Sequence, residues 1–177
     1  GAEGTDESAG YSGQGEKGER REVGAGALYG DLARIGAVGT LVGGNDLAVD
    51  ANGRFDLETA LAYGEAMTPF DLFWFEEPGD PLDFQLNAEL AARYPGALAT
   101  GENLFSLQDA RNLLRHGGLR PERDWIQVDP ALSYGLTEYL DIINIAENMG
   151  RSRPPRLPHR APQLPPALAA APPPAAS

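Results

Sequence analysis

The chain has 177 residues and a formal net charge of −12, and it contains no cysteine. This length is enough for one domain with a hydrophobic core, and the negative charge argues against nucleic-acid binding, which needs a basic surface to neutralise phosphates. The lack of cysteine excludes disulfides and thiolate metal sites and fits a reducing compartment, so we expect a cytoplasmic protein. No apolar run approaches the roughly 20 residues of a membrane span, so we expect no membrane association.

The composition changes twice along the chain. Residues 1–30 contain nine glycines and many charges, which predicts a disordered or non-native segment. Residues 31–150 have the mixed composition of a globular domain. Residues 151–177 hold nine of the fifteen prolines together with a run of alanines. Because proline interrupts helices and central strands, we expect this tail to be disordered.

The middle of the chain predicts strands that alternate with helices. The predicted strands are the short apolar runs LAVD (47–50), LFWFE (72–76), ALATGE (97–102) and WIQVD (125–129). Helices are expected over residues 56–67, 84–94, 106–117 and 137–149, with Asp56 capping the first and Ser106 with Asp109 forming a capping box in the third. Strands and helices that alternate at this length predict a parallel sheet and an α/β fold.

Each predicted strand ends on an acidic residue. Asp50, Glu76, Glu102 and Asp129 follow one another at intervals of 26, 26 and 27 residues, and His159 comes 30 residues later. One βα unit of an eight-unit barrel takes about 30 residues, so these side chains are expected at the end of the sheet where barrel enzymes carry their chemistry. Carboxylates from neighbouring strand ends suit Mg²⁺, which prefers oxygen ligands.

A calcium loop is the alternative explanation for Asp50 and Asn52. An EF-hand loop needs glycine at its sixth position and glutamate at its twelfth. Counted from Asp50, Gly53 occupies the fourth position and Leu61 the twelfth. The EF-hand motif therefore does not match, and a metal ligand at a strand end explains Asp50 better.

The motifs VDAN, FEEP and TGEN occur in this order and resemble the mandelate racemase branch of the enolase superfamily. The longer stretches LAVDANGRF, FEEPGDPLD and ATGENLFSLQDARNLLRHGG are similar to the D-tartrate dehydratases and their close relatives, and the resemblance extends over about residues 31–150. It implies an α/β fold, a partial (β/α) barrel of the TIM type with irregular ends. It also implies that Asp50, Glu76 and Glu102 bind Mg²⁺.

The reaction that the resemblance implies is the Mg²⁺-dependent dehydration of a hydroxy-dicarboxylate or sugar acid, with D-tartrate as the leading substrate. In this family the metal binds the substrate carboxylate, a base removes the adjacent carbon-bound proton, and magnesium stabilises the resulting enediolate. A histidine held by an aspartate helps to expel the β-hydroxyl as water, and Asp129 and His159 match this pair in order and spacing. Full-length relatives are expected to be homo-oligomers.

The chain departs from the family pattern at a catalytic lysine. The family carries this lysine in a KxK strand shortly before LAVD, but here the position falls near Glu22, with Arg20 in the place of the other lysine and Lys17 out of register. Arginine stays protonated and is a poor base. The alternative function is therefore a catalytically inactive fragment that at most binds metal or a partner subunit.

Both ends of the chain also depart from the family pattern. His159 lies in a proline-rich run, and the later barrel strands and the N-terminal capping domain of the family have no recognisable counterpart in the 177 residues. We expect that both ends come from a shifted reading frame or a truncation of a dehydratase gene.

Overall fold

A computed structural model of the chain describes residues 9–13, 16–24, 28–42 and 46–151. Within these ranges, six strands form one sheet in the order β1-β2-β3-β4-β5-β6. The strands are β1 (Ala9–Gly13), β2 (Glu16–Glu22), β3 (Leu47–Asp50), β4 (Trp74–Glu76), β5 (Leu98–Thr100) and β6 (Trp125–Ile126). The helices are α1 (Leu28–Val42), α2 (Leu57–Met67), α3 (Phe84–Arg93), α4 (Leu107–His116) and α5 (Leu136–Asn148). A short 3-10 helix, Thr68–Phe70, follows α2.

The sheet is parallel from β2 to β6, and only β1 pairs antiparallel with its neighbour in the described chain. A helix lies between each pair of consecutive parallel strands, which is the connection that parallel strands require. This arrangement confirms the predicted α/β fold with a parallel sheet. It also places the carboxyl ends of β2 to β6 along one edge of the sheet.

Side-chain caps set the starts of three helices. A short polar side chain at the N-cap accepts a hydrogen bond from a backbone N–H of the first turn that would otherwise have no partner. Asp56 accepts from the Thr59 N–H before α2 (2.8 Å). Ser106 accepts from the Asp109 N–H before α4 (3.1 Å), as the predicted capping box requires. Asp83 caps α3 in the same way. Local sequence therefore fixes where these helices begin.

Two apolar clusters lie on opposite faces of the sheet, because successive strand side chains alternate between faces. The larger cluster packs the sheet against the helices, with Val49, Phe75 and Ile126 among its buried members. The smaller cluster lies on the other face and contains Ala48, Trp74, Ala99 and Trp125. The indole rings of Trp74 and Trp125 lie 5.9 Å apart between centroids. This aromatic layer lies on the sheet face that becomes the interior when such a sheet closes into a barrel.

Strands β1 and β2 lie in the described part of residues 1–30. Strand β2 pairs with β3 from Glu19 opposite Leu47 to Glu22 opposite Asp50, and the Val23 N–H donates to the Asp50 carbonyl oxygen (2.8 Å). These contacts come from the main chain, so they form without the alternating apolar pattern by which strands are recognised in a sequence. The predicted tail, including His159, lies outside the described residues apart from residue 151.

None of the helices in the described ranges is both long and apolar enough to cross a membrane.

Gly118 is expected to be intolerant of a side chain. Its φ is +65°, and a Cβ there would lie 2.7 Å from the Cα of Ala88 on α3. We expect Gly118→Ala to lower the free energy of unfolding by about 2 kcal/mol more than Gly150→Ala, since it adds a backbone clash to the strain of a positive φ. Gly150 shares the positive φ (+79°), with nothing described within 4 Å of its Cβ position. Urea unfolding measures both losses, and equal losses would show that the close approach to α3 is unimportant.

Candidate metal centre and active site

Asp50 and Glu76 end the neighbouring parallel strands β3 and β4, where they lie side by side in register. Both side chains are buried, at 1% and 0% exposure. Asp50 Oδ1 accepts a hydrogen bond from the Asn52 N–H (2.8 Å), and Glu76 Oε2 accepts one from Trp74 Nε1 (2.9 Å). The Trp74 ring therefore holds one oxygen of Glu76, and the turn after β3 holds one oxygen of Asp50.

Glu102 lies two residues beyond the end of β5 and is half-buried. Gly101 makes the turn that leads to it, with a φ of +116° and no room for a Cβ, which would lie 2.7 Å from the Gln127 carbonyl oxygen. The Leu104 N–H closes the turn on the Gly101 carbonyl oxygen (3.1 Å). The turn thus carries Glu102 at the same edge of the sheet as Asp50 and Glu76.

The three carboxylates share an edge, yet they do not form a closed ligand set. Throughout residues 9–13, 16–24, 28–42 and 46–151, no three Asp, Glu, His or Cys side chains converge as a ready-made metal site. Like charges repel one another, so drawing three carboxylates together needs the charge of a cation.

Glu77 is a polar member of this edge that the sequence analysis did not single out, although it is the second glutamate of FEEP. Its side chain is 1% exposed, and Asn103 Nδ2 donates to its Oε2 (2.7 Å). Burial raises the pKa of Glu77 to about 7, the charges of Glu102 and Asp50 add to the rise, and hydrogen bonds from Asn103 and the Gly101 backbone oppose it. Glu77 is therefore a further buried carboxyl group at this edge, beside Asp50 and Glu76.

Asp129 lies three residues beyond β6 and is buried, at 3% exposure. Its Oδ1 accepts from the Ala131 N–H (2.7 Å), and its carbonyl oxygen accepts from the N–H groups of Leu132 and Ser133. Asp129 thus follows β6, and Glu102 follows the neighbouring strand β5. Its predicted partner, His159, lies outside the described residues.

The position expected to carry the catalytic lysine holds Glu22. It ends β2 in register with Asp50, at the edge that carries the carboxylates. Lys17 lies five residues earlier on β2, so at about 3.3 Å per residue its backbone is roughly 16 Å farther from that edge. The described part of β2 therefore brings no lysine to the end of the strand.

The donors at this edge suit a hard divalent cation. Asp50, Glu76 and Glu102 offer carboxylate oxygens from three consecutive strands. Holding several carboxylates in a buried region is unfavourable unless a cation offsets their charge. Burial is the main reason that the pKa of Glu77 is raised, and the negative charges of Glu102 and Asp50 raise it further.

Comparison with known proteins gives a consistent match. The sequence profile of enolase C-terminal domain-like proteins covers residues 9–176. The L-talarate/galactarate dehydratase of Salmonella typhimurium is 36% identical over 126 residues, which are 71% of this chain and 31% of that protein. The arabinonate dehydratase of Saccharolobus solfataricus is 30% identical over 155 residues, which are 87% of this chain and 40% of that protein.

A solved structure shows the same similarity in three dimensions. The crystal structure of L-talarate dehydratase from Polaromonas sp. JS666, complexed with Mg and L-glucarate, superposes with a TM-score of 0.69 at 35% identity. The similarity covers 75% of this chain and 36% of that one. The chain thus spans between 31% and 40% of the length of these three relatives.

Proposed function

Because the chain belongs to the enolase C-terminal domain-like family, as its motifs predict, we propose that it carries the metal-binding part of a Mg²⁺-dependent dehydratase. Its substrates would be small hydroxy-dicarboxylates or sugar acids. The observation that carries this proposal is the row of carboxylates at consecutive parallel strand ends, with Asp50 in register beside Glu76 and Glu102 after the next strand. The names of the relatives support it, since they are dehydratases of talarate, galactarate and arabinonate. D-tartrate is the substrate that the motifs favour.

Asp50, Glu76 and Glu102 are the residues that would hold Mg²⁺. The chain carries a net charge of −12, which repels an anionic substrate, so a cation at this edge would also make carboxylate binding favourable. When bound, Mg²⁺ would polarise the substrate carboxylate and stabilise the negative charge that develops as the adjacent carbon loses its proton. Buried surroundings strengthen that interaction by lowering the local dielectric.

Asp129 and His159 are the proposed acid–base pair. An aspartate beside a histidine favours the imidazolium form, which can give a proton to the β-hydroxyl as it leaves as water. Arg151 lies close to the start of β6, where its Nη1 donates to the Asp124 carbonyl oxygen (3.3 Å). His159 lies eight positions further along the chain, outside the described residues, so its proposed role rests on its order and spacing after Asp129.

The second candidate function is metal or partner binding without catalysis. The observation that favours it is Glu22 at the end of β2, in register with Asp50, where the resemblance expects a lysine base. A carboxylate there could still accept a proton, but its charge would compete with the substrate carboxylate for the same cation. Both candidates retain Asp50, Glu76 and Glu102 as metal ligands, so metal binding and turnover must be measured separately.

We expect Mg²⁺ to stabilise the 177-residue chain and Glu76→Gln to abolish that stabilisation. At a Mg²⁺ concentration 100 times the Kd, binding adds about 2.7 kcal/mol to the free energy of unfolding. Glu76→Gln removes a buried anionic ligand, so titration calorimetry should show no binding and thermal unfolding no shift with Mg²⁺. Glu89→Gln, on the exposed side of α3, is the matched control and should respond as the wild type does.

Turnover then separates the two functions. The chain is incubated with Mg²⁺ and D-tartrate, galactarate or arabinonate, and a 2-keto acid product is measured. Product from any of these acids supports the dehydratase, and Mg²⁺ binding without product supports the inactive alternative. If Mg²⁺ neither binds nor stabilises the wild type, the proposed metal site is wrong.

A further inference from the structure

Glu77 contacts the strand-end segments on both sides of β4. Its carbonyl oxygen accepts from the Gly53 N–H (2.7 Å), in the loop that follows β3. Its own N–H donates to the Ala99 carbonyl oxygen on β5 (2.8 Å). Its side-chain Oε2 accepts from Asn103 Nδ2 (2.7 Å), in the loop that follows β5. Glu77 therefore joins the loop after β3 to the loop after β5, on either side of β4.

Glu77 makes these contacts in a conformation that is unfavourable for stability. Its φ is +36°, a region that side-chain-bearing residues rarely occupy because it strains the backbone. Its second carboxylate oxygen, Oε1, is buried without a hydrogen-bond partner among the described residues. Such a conformation persists only where the surrounding structure holds it, and it is concentrated at functional sites.

We infer that Glu77 is a positioning residue, which holds the Glu102 loop against the Asp50 loop so that the two carboxylates reach one cation. Asn103 follows Glu102 directly, so its hydrogen bond to Glu77 restrains the backbone that carries Glu102. The bond from Gly53 restrains the turn that begins at Asp50. The inference deepens the proposed function and rests on its metal site. It assigns a role to a glutamate that is not itself one of the three proposed ligands.

The first test needs no metal and follows backbone amide exchange by NMR in the full chain. Asn103→Ala removes the donor to Glu77, and we expect the Leu104 amide, which closes the Glu102 turn, to exchange about tenfold faster, as for a lost hydrogen bond to a charged group. Glu77→Gln keeps a carbonyl oxygen that can accept from Asn103, so it should largely preserve the wild-type rate. Asn148→Ala, at an exposed position on α5, is the matched control. Unchanged exchange in Asn103→Ala overturns the inference.

The second test measures Mg²⁺ affinity by titration calorimetry. Loss of a residue that orients a ligand typically weakens metal binding about 10–100-fold, which we expect for both Asn103→Ala and Glu77→Ala. Because both act through one contact, the double variant should bind Mg²⁺ no more weakly than Glu77→Ala does. If the Leu104 amide exchanges faster in Asn103→Ala but the variant binds Mg²⁺ as tightly as the wild type, the contact only stabilises the loop, and the inference is overturned. If the wild type does not bind Mg²⁺, the proposed function fails, and the exchange measurement alone decides whether Glu77 positions the loop.

Discussion

Replacing Asp124 by alanine is expected to lower the free energy of unfolding by about 3–5 kcal/mol, the usual loss when one partner of a buried ion pair is removed. Asp124 is fully buried and accepts four hydrogen bonds. Its Oδ1 accepts from the Leu98 N–H (2.9 Å) and from Arg120 Nη2 (2.6 Å). Its Oδ2 accepts from the Arg120 N–H (2.7 Å) and from Arg120 Nε (2.8 Å). Alanine would leave two backbone N–H groups, those of Leu98 and Arg120, without this acceptor and would remove the charge that pairs with the Arg120 guanidinium.

The ion pair of Asp124 and Arg120 joins the segment before β6 to the start of β5 and to the chain that follows α3. Arg120 also donates from Nη1 to the Tyr94 carbonyl oxygen (2.8 Å) and from Nη2 to the Gly96 carbonyl oxygen (2.6 Å), just beyond α3. Asp124 directly precedes β6, and Leu98 begins β5. This end of the sheet is opposite to the carboxylate edge, and in barrel folds it serves stability rather than catalysis. We therefore expect the loss to be in folding and not in metal binding.

Urea unfolding followed by circular dichroism measures this loss. Asp80→Ala is the control, because Asp80 also accepts from a backbone N–H, that of Leu82 (2.9 Å), but at an exposed position. Asp124→Asn should fall between the two, since it keeps an acceptor for Leu98 and loses the charge that pairs with Arg120. Equal losses for Asp124→Ala and Asp80→Ala would mean that the buried pair adds little to stability.

Glu77→Gln is expected to remove a pH-dependent loss of stability. Burial raises the pKa of Glu77 from its ordinary value of 4.5 to about 7 in the folded chain, with added effects of Glu102 and Asp50. Below the ordinary pKa the group is protonated in both the folded and the unfolded state. Between about pH 4.5 and 7 only the unfolded state gives up the proton, so folding stability falls as pH rises, by about 3 kcal/mol in total. Above about pH 7 the loss is constant.

The measurement is urea unfolding of the wild type and the variant between pH 4.5 and 8 in metal-free buffer. The readout is the difference between the two proteins, because the buried glutamine amide adds a cost that does not depend on pH. We expect this difference to move in favour of Glu77→Gln as pH rises and to level off near pH 7. Glu89→Gln provides the baseline for a Glu-to-Gln change at an exposed position. A difference that stays constant across the range would contradict the raised pKa of Glu77.

Many features of this chain could be predicted from the sequence because they depend on neighbours along the chain. Asp56 and Ser106 cap helices through N–H groups three residues away. The apolar runs that end at Asp50 and Glu76 form buried strands because their composition requires burial. The interval between successive acidic residues matches one βα unit, so it places Asp50 and Glu76 at the same edge.

Other features depend on contacts between residues far apart in the sequence, and only the tertiary structure decided them. Glu22 reaches Asp50 through main-chain pairing that leaves no side-chain pattern. Glu77 contacts Asn103 across 26 residues, and Asp124 contacts Leu98 across the same distance. In each case the sequence shows which residues are charged. The packing of β3, β4, β5 and β6 determines which of those charges are buried and which groups they contact, and burial is what makes their energies large.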